Sequence, residues 1–235
     1  MKNDKYNQEA KLYKLIGKEV MDAHIKEMLD EILIEYDNVV SKGPHDIENC
    51  KLVKHDIRLN DERPIKRKQS PKSAKENEWI KGQIDEMLKN GVIEPLTSPY
   101  AFNIVIMEKK DGAGKGMDKI YINYALLNKV TEKDSGPIPI IKEYLALFHE
   151  IKWLTVLDLA SAYWQILLTK RSKKYTVFLI TYRLYQFKVM PFELVNALAT
   201  FQRLMNNVLR DYLRKFCLIY LDDIIIYSKS LKDHK

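Results

Sequence analysis

Apolar positions in the first part of the chain recur at helical spacing. Leu12, Leu15, Ile16, Val20, Ile25, Met28, Leu29, Ile32 and Leu33 predict an amphipathic helix over residues 8–36. Residues 41–72 lose that period. They are polar, are broken by Pro44, Pro64 and Pro71, carry the basic cluster Lys66-Arg67-Lys68, and read as an extended arm. A second helix follows. Ser70 or Ser73 can cap it, Pro71 suits its first turn, Gly91 suits its end, and Ile80, Ile84, Met87 and Leu88 form its stripe. Val92-Ile93-Glu94-Pro95 then leaves the helix. Beyond it the apolar runs shorten to strand length at residues 101–107, 120–122, 153–159, 175–180 and 185–189, with Lys109-Lys110-Asp111-Gly112 as a turn between the first two. Helical spacing returns over 199–213, where Phe201, Leu204, Met205, Val208, Leu209 and Tyr212 share a face. Hairpin-joined strands mixed with helices, without regular β-α-β alternation, predict an α+β fold.

One apolar run is interrupted in a way that implies chemistry. Asp222 and Asp223 lie between Phe216-Cys217-Leu218-Ile219 and Ile224-Ile225-Ile226-Tyr227. A buried carboxylate must be paired, protonated or bound to a cation. Adjacent side chains on a straight strand face opposite sides, whereas a tight hairpin turn can offer both acids to one site. Taken alone, two acids between strands are also ordinary turn chemistry, and Asp158 at the end of its strand is an ordinary cap. Phosphoryl transfer assisted by two cations about 4 Å apart needs hard oxygen ligands that converge from rigid elements. Asp158, Asp222 and Asp223 would supply them if their strands are neighbours in one sheet.

Composition narrows the classes. The 235 residues are 46% hydrophobic, enough for one large domain or two modest ones with a real core. A net charge of +7 suits a polyanionic partner and equally suits a lysine-solvated surface. Two distant cysteines, Cys50 and Cys217, argue against a disulfide scaffold and fit a reducing compartment. No secretory signal and no apolar run of membrane-spanning length is visible. Gly112, Gly114 and Gly116 mark a flexible tip and do not form a phosphate-binding Gly-x-x-x-x-Gly-Lys-Ser/Thr loop.

Three ordered segments carry a family resemblance. Leu157-Asp158-Leu159-Ala160-Ser161-Ala162-Tyr163-Trp164-Gln165-Ile166, then Val189-Met190-Pro191-Phe192-Glu193-Leu194-Val195-Asn196-Ala197-Leu198-Ala199-Thr200-Phe201-Gln202, then Tyr220-Leu221-Asp222-Asp223 resemble the consecutive palm motifs of reverse transcriptases, above all those of Gypsy-like long-terminal-repeat retrotransposons. Upstream, Gly91-Val92-Ile93-Glu94-Pro95, Ser98-Pro99-Tyr100-Ala101, Lys109-Lys110-Asp111-Gly112 and Leu127-Asn128-Lys129-Val130-Thr131 resemble that family's fingers, and Leu52-Val53-Lys54-His55-Asp56-Ile57 its lead-in. The resemblance implies a right-hand polymerase with fingers and an antiparallel palm sheet packed on helices. It implies an RNA-directed DNA polymerase that adds deoxynucleoside triphosphates to a primer 3′-hydroxyl on an RNA or DNA template, using two Mg²⁺ ions or Mn²⁺ in their place. Asp158 and Asp222 would be the main metal ligands, with Asp223 supporting. Tyr163 would lie under the incoming sugar, Phe192 would wall the nucleotide pocket, Lys110 and Lys119 would hold triphosphate, and Gln202 would lie near the template. The alternatives are a core aromatic for Tyr163, solvated lysines for Lys110 and Lys119, and a plain helix position for Gln202.

The sequence also departs from that pattern. Glu193 stands where the family has glycine, Leu198 where it has proline, Asn123-Tyr124-Ala125 where it has Asp-Tyr-Arg, and Lys119 where it has arginine. The expected division is a helical segment and linker over 1–50, a lead-in arm and first fingers helix over 51–90, and fingers with most of the palm over 91–235. The thumb would be missing, as in a truncated or decayed element copy or an excerpt of a longer polyprotein. An inactive nucleic-acid-binding remnant is the competing expectation. The expected setting is intracellular, a cytoplasmic particle or the nucleus, with no membrane partner. Nothing in the residues fixes an oligomeric state.

Overall fold

The computed structural model describes residues 23–43, 48–109, 116–136, 151–181 and 183–234. The chain divides into two units, Met1–Lys42 and Gly43–Lys235. The described helix of the first is α1 (Ala23–Glu35). The earlier part of the helix predicted over 8–36, Lys110 and most of the tip at 111–118 lie outside the described residues.

In the second unit the order is β1 (Cys50–His55), α2 (Ala74–Lys89), β2 (Ile93–Leu96), β3 (Ile104–Lys109), β4 (Gly116–Ile122), α3 (Ala125–Val130), β5 (Trp153–Asp158), β6 (Ile166–Leu168), β7 (Phe178–Ile180), β8 (Arg183–Phe187), α4 (Ala197–Val208), β9 (Cys217–Tyr220), β10 (Asp223–Ser228) and α5 (Leu231–His234). Four small sheets result: β1 with β6, β3 with β4, β2-β8-β7, and β5-β10-β9. The last two are antiparallel throughout. The α+β expectation holds at this level.

Local chemistry accounts for the best-defined elements. Ser73 caps α2 by accepting from the Glu76 amide, while the Glu76 carboxylate accepts from the Ser73 amide. This reciprocal box satisfies two otherwise orphaned donors. Ile80, Ile84 and Met87 bury the inner face of α2, and Gly91 follows it at φ +67. The residues read as an extended arm are stitched into the unit by backbone pairing. β1 pairs in parallel with β6, Leu59 bridges Thr131, and Lys66 bridges Ala101. The core gathers Ile80, Phe102, Leu127, Ile166, Phe178 and Met190, all almost fully buried. Tyr124 is buried with them and donates its hydroxyl to the Thr176 carbonyl at 2.9 Å.

Candidate active site

The site begins with strand register. β5 and β10 run antiparallel with Asp158 directly opposite Asp223, so both side chains leave the same face of the sheet. On the other side of β10, Tyr220 of β9 pairs with Asp223. Leu221 and Asp222 are therefore a two-residue hairpin loop. Leu221 has φ +54 and Asp222 does not share the positive angle. A positive angle at the first loop position only is the type II′ pattern, normally filled by glycine. Leucine there is strained, and such strain clusters at functional sites. Three acids from two distant parts of the chain thus meet at one end of one sheet.

Their mutual influence is visible in Asp222. Burial, and then the charges of Asp158 and Asp223, push its carboxyl above the ordinary aspartate value, against an opposing hydrogen bond from Tyr163. Asp222 Oδ1 is buried without a hydrogen-bond partner. An orphaned, buried, hard-oxygen acceptor beside two further carboxylates is the chemistry of a divalent-cation clamp. Among the described residues, no three acidic, histidine or cysteine side chains converge tightly enough to hold an ion by themselves. Mg²⁺ commonly takes one or two carboxylates and completes its shell with water and substrate phosphate, so the donor set fits such an ion.

Aromatic side chains connect the acids to the remaining motif. Ser161 adopts φ +47 and starts the short turn Ala162–Gln165, which carries Tyr163. The Tyr163 ring lies 5.4 Å from Phe192 and 5.6 Å from Phe201 of α4, and Trp164 lies 5.9 Å from Phe192. Burial and the neighbouring Asp222 charge push the Tyr163 phenol up. Tyr163, in the first motif, therefore meets residues of the other two. Glu193, at the end of the turn after Phe192, is exposed and has φ +70. That is the backbone region that favours glycine.

Two further expected residues lie on other elements. Lys119 is exposed on β4, opposite Met107, in a different sheet from the acids. Gln202 is 5% exposed on α4, donates to Asn206 at 3.1 Å, and has a buried Oε1 without a partner. Two residues to which the sequence assigns no role also shape the site. Asn128 and Asn196 each bridge the backbone of the other's segment. Their partners lie more than sixty positions away, and a lone asparagine carries no pattern that would reveal this.

Residues 107–235 match the family described as reverse transcriptase (RNA-dependent DNA polymerase). The chain is 37% identical over 207 residues to the retrovirus-related Pol polyprotein from transposon 297 of Drosophila melanogaster, covering 88% of this chain and 20% of that protein. It is 34% identical over 180 residues to the corresponding polyprotein from transposon gypsy of the same organism, covering 76% and 17%. The chain thus spans about a fifth of the length of these relatives. The foamy viral protease-reverse transcriptase solved in complex with an RNA/DNA hybrid superposes with a TM-score of 0.78 at 22% identity, over 94% of this chain and 29% of that one. The likeness of fold, the match over more than half of the chain and the convergence of its three motifs place this protein in the reverse transcriptase family, beside the Pol polyproteins of Gypsy-type retrotransposons.

Proposed function

We propose that the chain is the fingers-and-palm portion of an RNA-directed DNA polymerase, adding deoxynucleotides to a primer 3′-hydroxyl by two-metal phosphoryl transfer. The observation that carries this reading is the position of Tyr163, against Phe192, Phe201 and Asp222 at once. Two divalent cations, Mg²⁺ or Mn²⁺ in its place, would supply the Lewis acidity that activates the primer hydroxyl and offsets charge on the departing pyrophosphate. Asp158 and Asp222 would hold them, with Asp223 beside Asp158 as support. The Tyr163 ring would lie where a ribose 2′-hydroxyl must fit, favouring deoxynucleotides by sterics. Phe192, packed between Tyr163 and Trp164, would form the pocket wall. Lys110 and Lys119 would meet triphosphate from the fingers. The burial of Gln202 favours a packing role on α4 over a template contact.

The nucleic-acid partner is supported by a net charge of +7 and by the RNA/DNA hybrid with which the foamy viral neighbour was solved. Primer extension on poly(rA)/oligo(dT) with Mg²⁺ tests the reading. Extension that disappears in Asp222→Asn supports it, and extension that persists in that variant ends it. One observation favours the inactive remnant as a second reading. Glu193 sets a strained backbone and a negative charge next to the pocket wall. Salt-sensitive binding of the same template–primer with no extension in either the parent or Glu193→Gly would select that reading.

A further inference from the structure

The turn that carries Phe192 is gripped from outside by one side chain. Asn128 on α3 donates from Nδ2 to the Glu193 carbonyl at 2.7 Å and accepts at Oδ1 from the Val195 amide at 3.0 Å. One planar amide thereby spans Leu194 with a donor and an acceptor, as a neighbouring strand would. The grip is answered from the other side. Asn196 donates from Nδ2 to the Glu132 carbonyl at 2.7 Å and accepts at Oδ1 from the Asp134 amide at 3.0 Å. Arg203 adds an ion pair to Asp134. Inside this seam lies Glu193 at φ +70. A side-chain-bearing residue keeps that backbone only where its surroundings over-determine it. Of the two amides, Asn128 alone holds the carbonyl of Glu193 itself.

We propose that Asn128 is the positioning residue of the nucleotide-pocket wall: its amide holds Glu193 in the left-handed conformation and so keeps the Phe192 ring against Tyr163. The proposal rests on the polymerase reading for its effect on nucleotide use, but not for the grip itself. It has a consequence particular to this chain. Dependence on Asn128 is set by the residue at 193, because glycine enters the left-handed region without strain and needs less holding.

The test is a double-mutant cycle on the full chain: parent, Asn128→Ala, Glu193→Gly and the double variant. Asn128→Ala removes both hydrogen bonds without adding charge. It should raise the KM for dTTP on poly(rA)/oligo(dT) roughly tenfold, with the KM for template–primer unchanged. In the Glu193→Gly background the same change should cost much less. Asn196→Ala loosens the same seam without touching residue 193, so its penalty should be equal in the two backgrounds. A dTTP penalty for Asn128→Ala that is equal in both backgrounds overturns the proposal. So does a loss that falls on kcat and on template–primer binding alike. If the parent extends no primer, the polymerase reading fails separately, and melting of the same four proteins decides the grip. A drop in Tm for Asn128→Ala that is smaller in the Glu193→Gly background than in the parent sustains it; strictly additive shifts overturn it.

Discussion

At the scale of the residue, two backbone angles and one carboxylate are held in unfavourable states. Glu193 and Leu221 both hold positive φ beside the site, where a side chain costs about 1–2 kcal/mol relative to glycine. Glu193→Gly should therefore raise Tm by about 2–8 °C, measured by a thermal melt. The same change removes a negative charge near the proposed triphosphate position, so nucleotide incorporation should rise. No change in either would show that the turn accommodates glutamate without strain. Asp222 gives the opposite trade. Its carboxyl is pushed above 3.8 in the fold, so the native state resists ionisation that the unfolded chain accepts. Stability from this group is complete below 3.8 and is lost as pH rises through the raised value. Asp222→Asn should thus melt higher than the parent at neutral pH in the absence of metal. The gain should vanish below 3.8, where both states of the parent are protonated. A gain independent of pH would show that charge is not its cause.

At the scale of elements, local chemistry is legible in the sequence and long-range pairing is not. The α2 boundaries follow from Ser73, Glu76 and Gly91, all within a few residues of the ends they define. The hairpin of β9 and β10 is readable because its two acids interrupt a single apolar run. The β1–β6 pairing is not. β6 has three residues, too few to show a period, and its parallel partner lies more than a hundred positions earlier. The far end of α4 also differs from expectation. The apolar face continues to Tyr212 in the sequence, yet the helix ends at Val208. Val208 and Tyr212 are about half exposed, and Tyr212 packs its ring 5.5 Å from Phe216 rather than into the core. Between β1 and α4, buried His55 meets Thr200 through Nδ1 at 2.8 Å. Burial first, and then Arg203, lower its pKa from 6.5 to about 4, against the opposing charges of Asp56 and Asp134. The unfolded chain binds a proton here between those values and the folded chain does not, so stability falls as pH drops from 6.5 to 4. That difference is worth up to about 3 kcal/mol. Urea unfolding across this window should show a steep acid limb in the parent and a flatter one in His55→Gln. Equal slopes would remove His55 as the cause.

At the scale of the molecule, the unit from Gly43 to Lys235 holds three acids together at a cost to its own stability. β5 and β10 are neighbours only because the sheet orders them so, with Asp158 placed opposite Asp223 by register and Asp222 one residue earlier in the loop. Among the described residues, no basic side chain meets Asp222 Oδ1, which is left without a partner. A divalent cation would offset that cost, and any ligand that binds only the folded state stabilises it in proportion to the logarithm of its concentration. Mg²⁺ at about tenfold its dissociation constant should stabilise the parent by about 1.4 kcal/mol, or about 3–6 °C in Tm. Asp222→Asn and Asp158→Asn should gain little from the same addition. The order of stability should therefore narrow or invert: Asp222→Asn melts above the parent without metal and loses that advantage with it. Thermal melts of parent and variants at matched ionic strength, with Mg²⁺ replaced by NaCl in the control, would measure this. Equal shifts in parent and variants would place the cation elsewhere on the surface and separate these three carboxylates from metal binding.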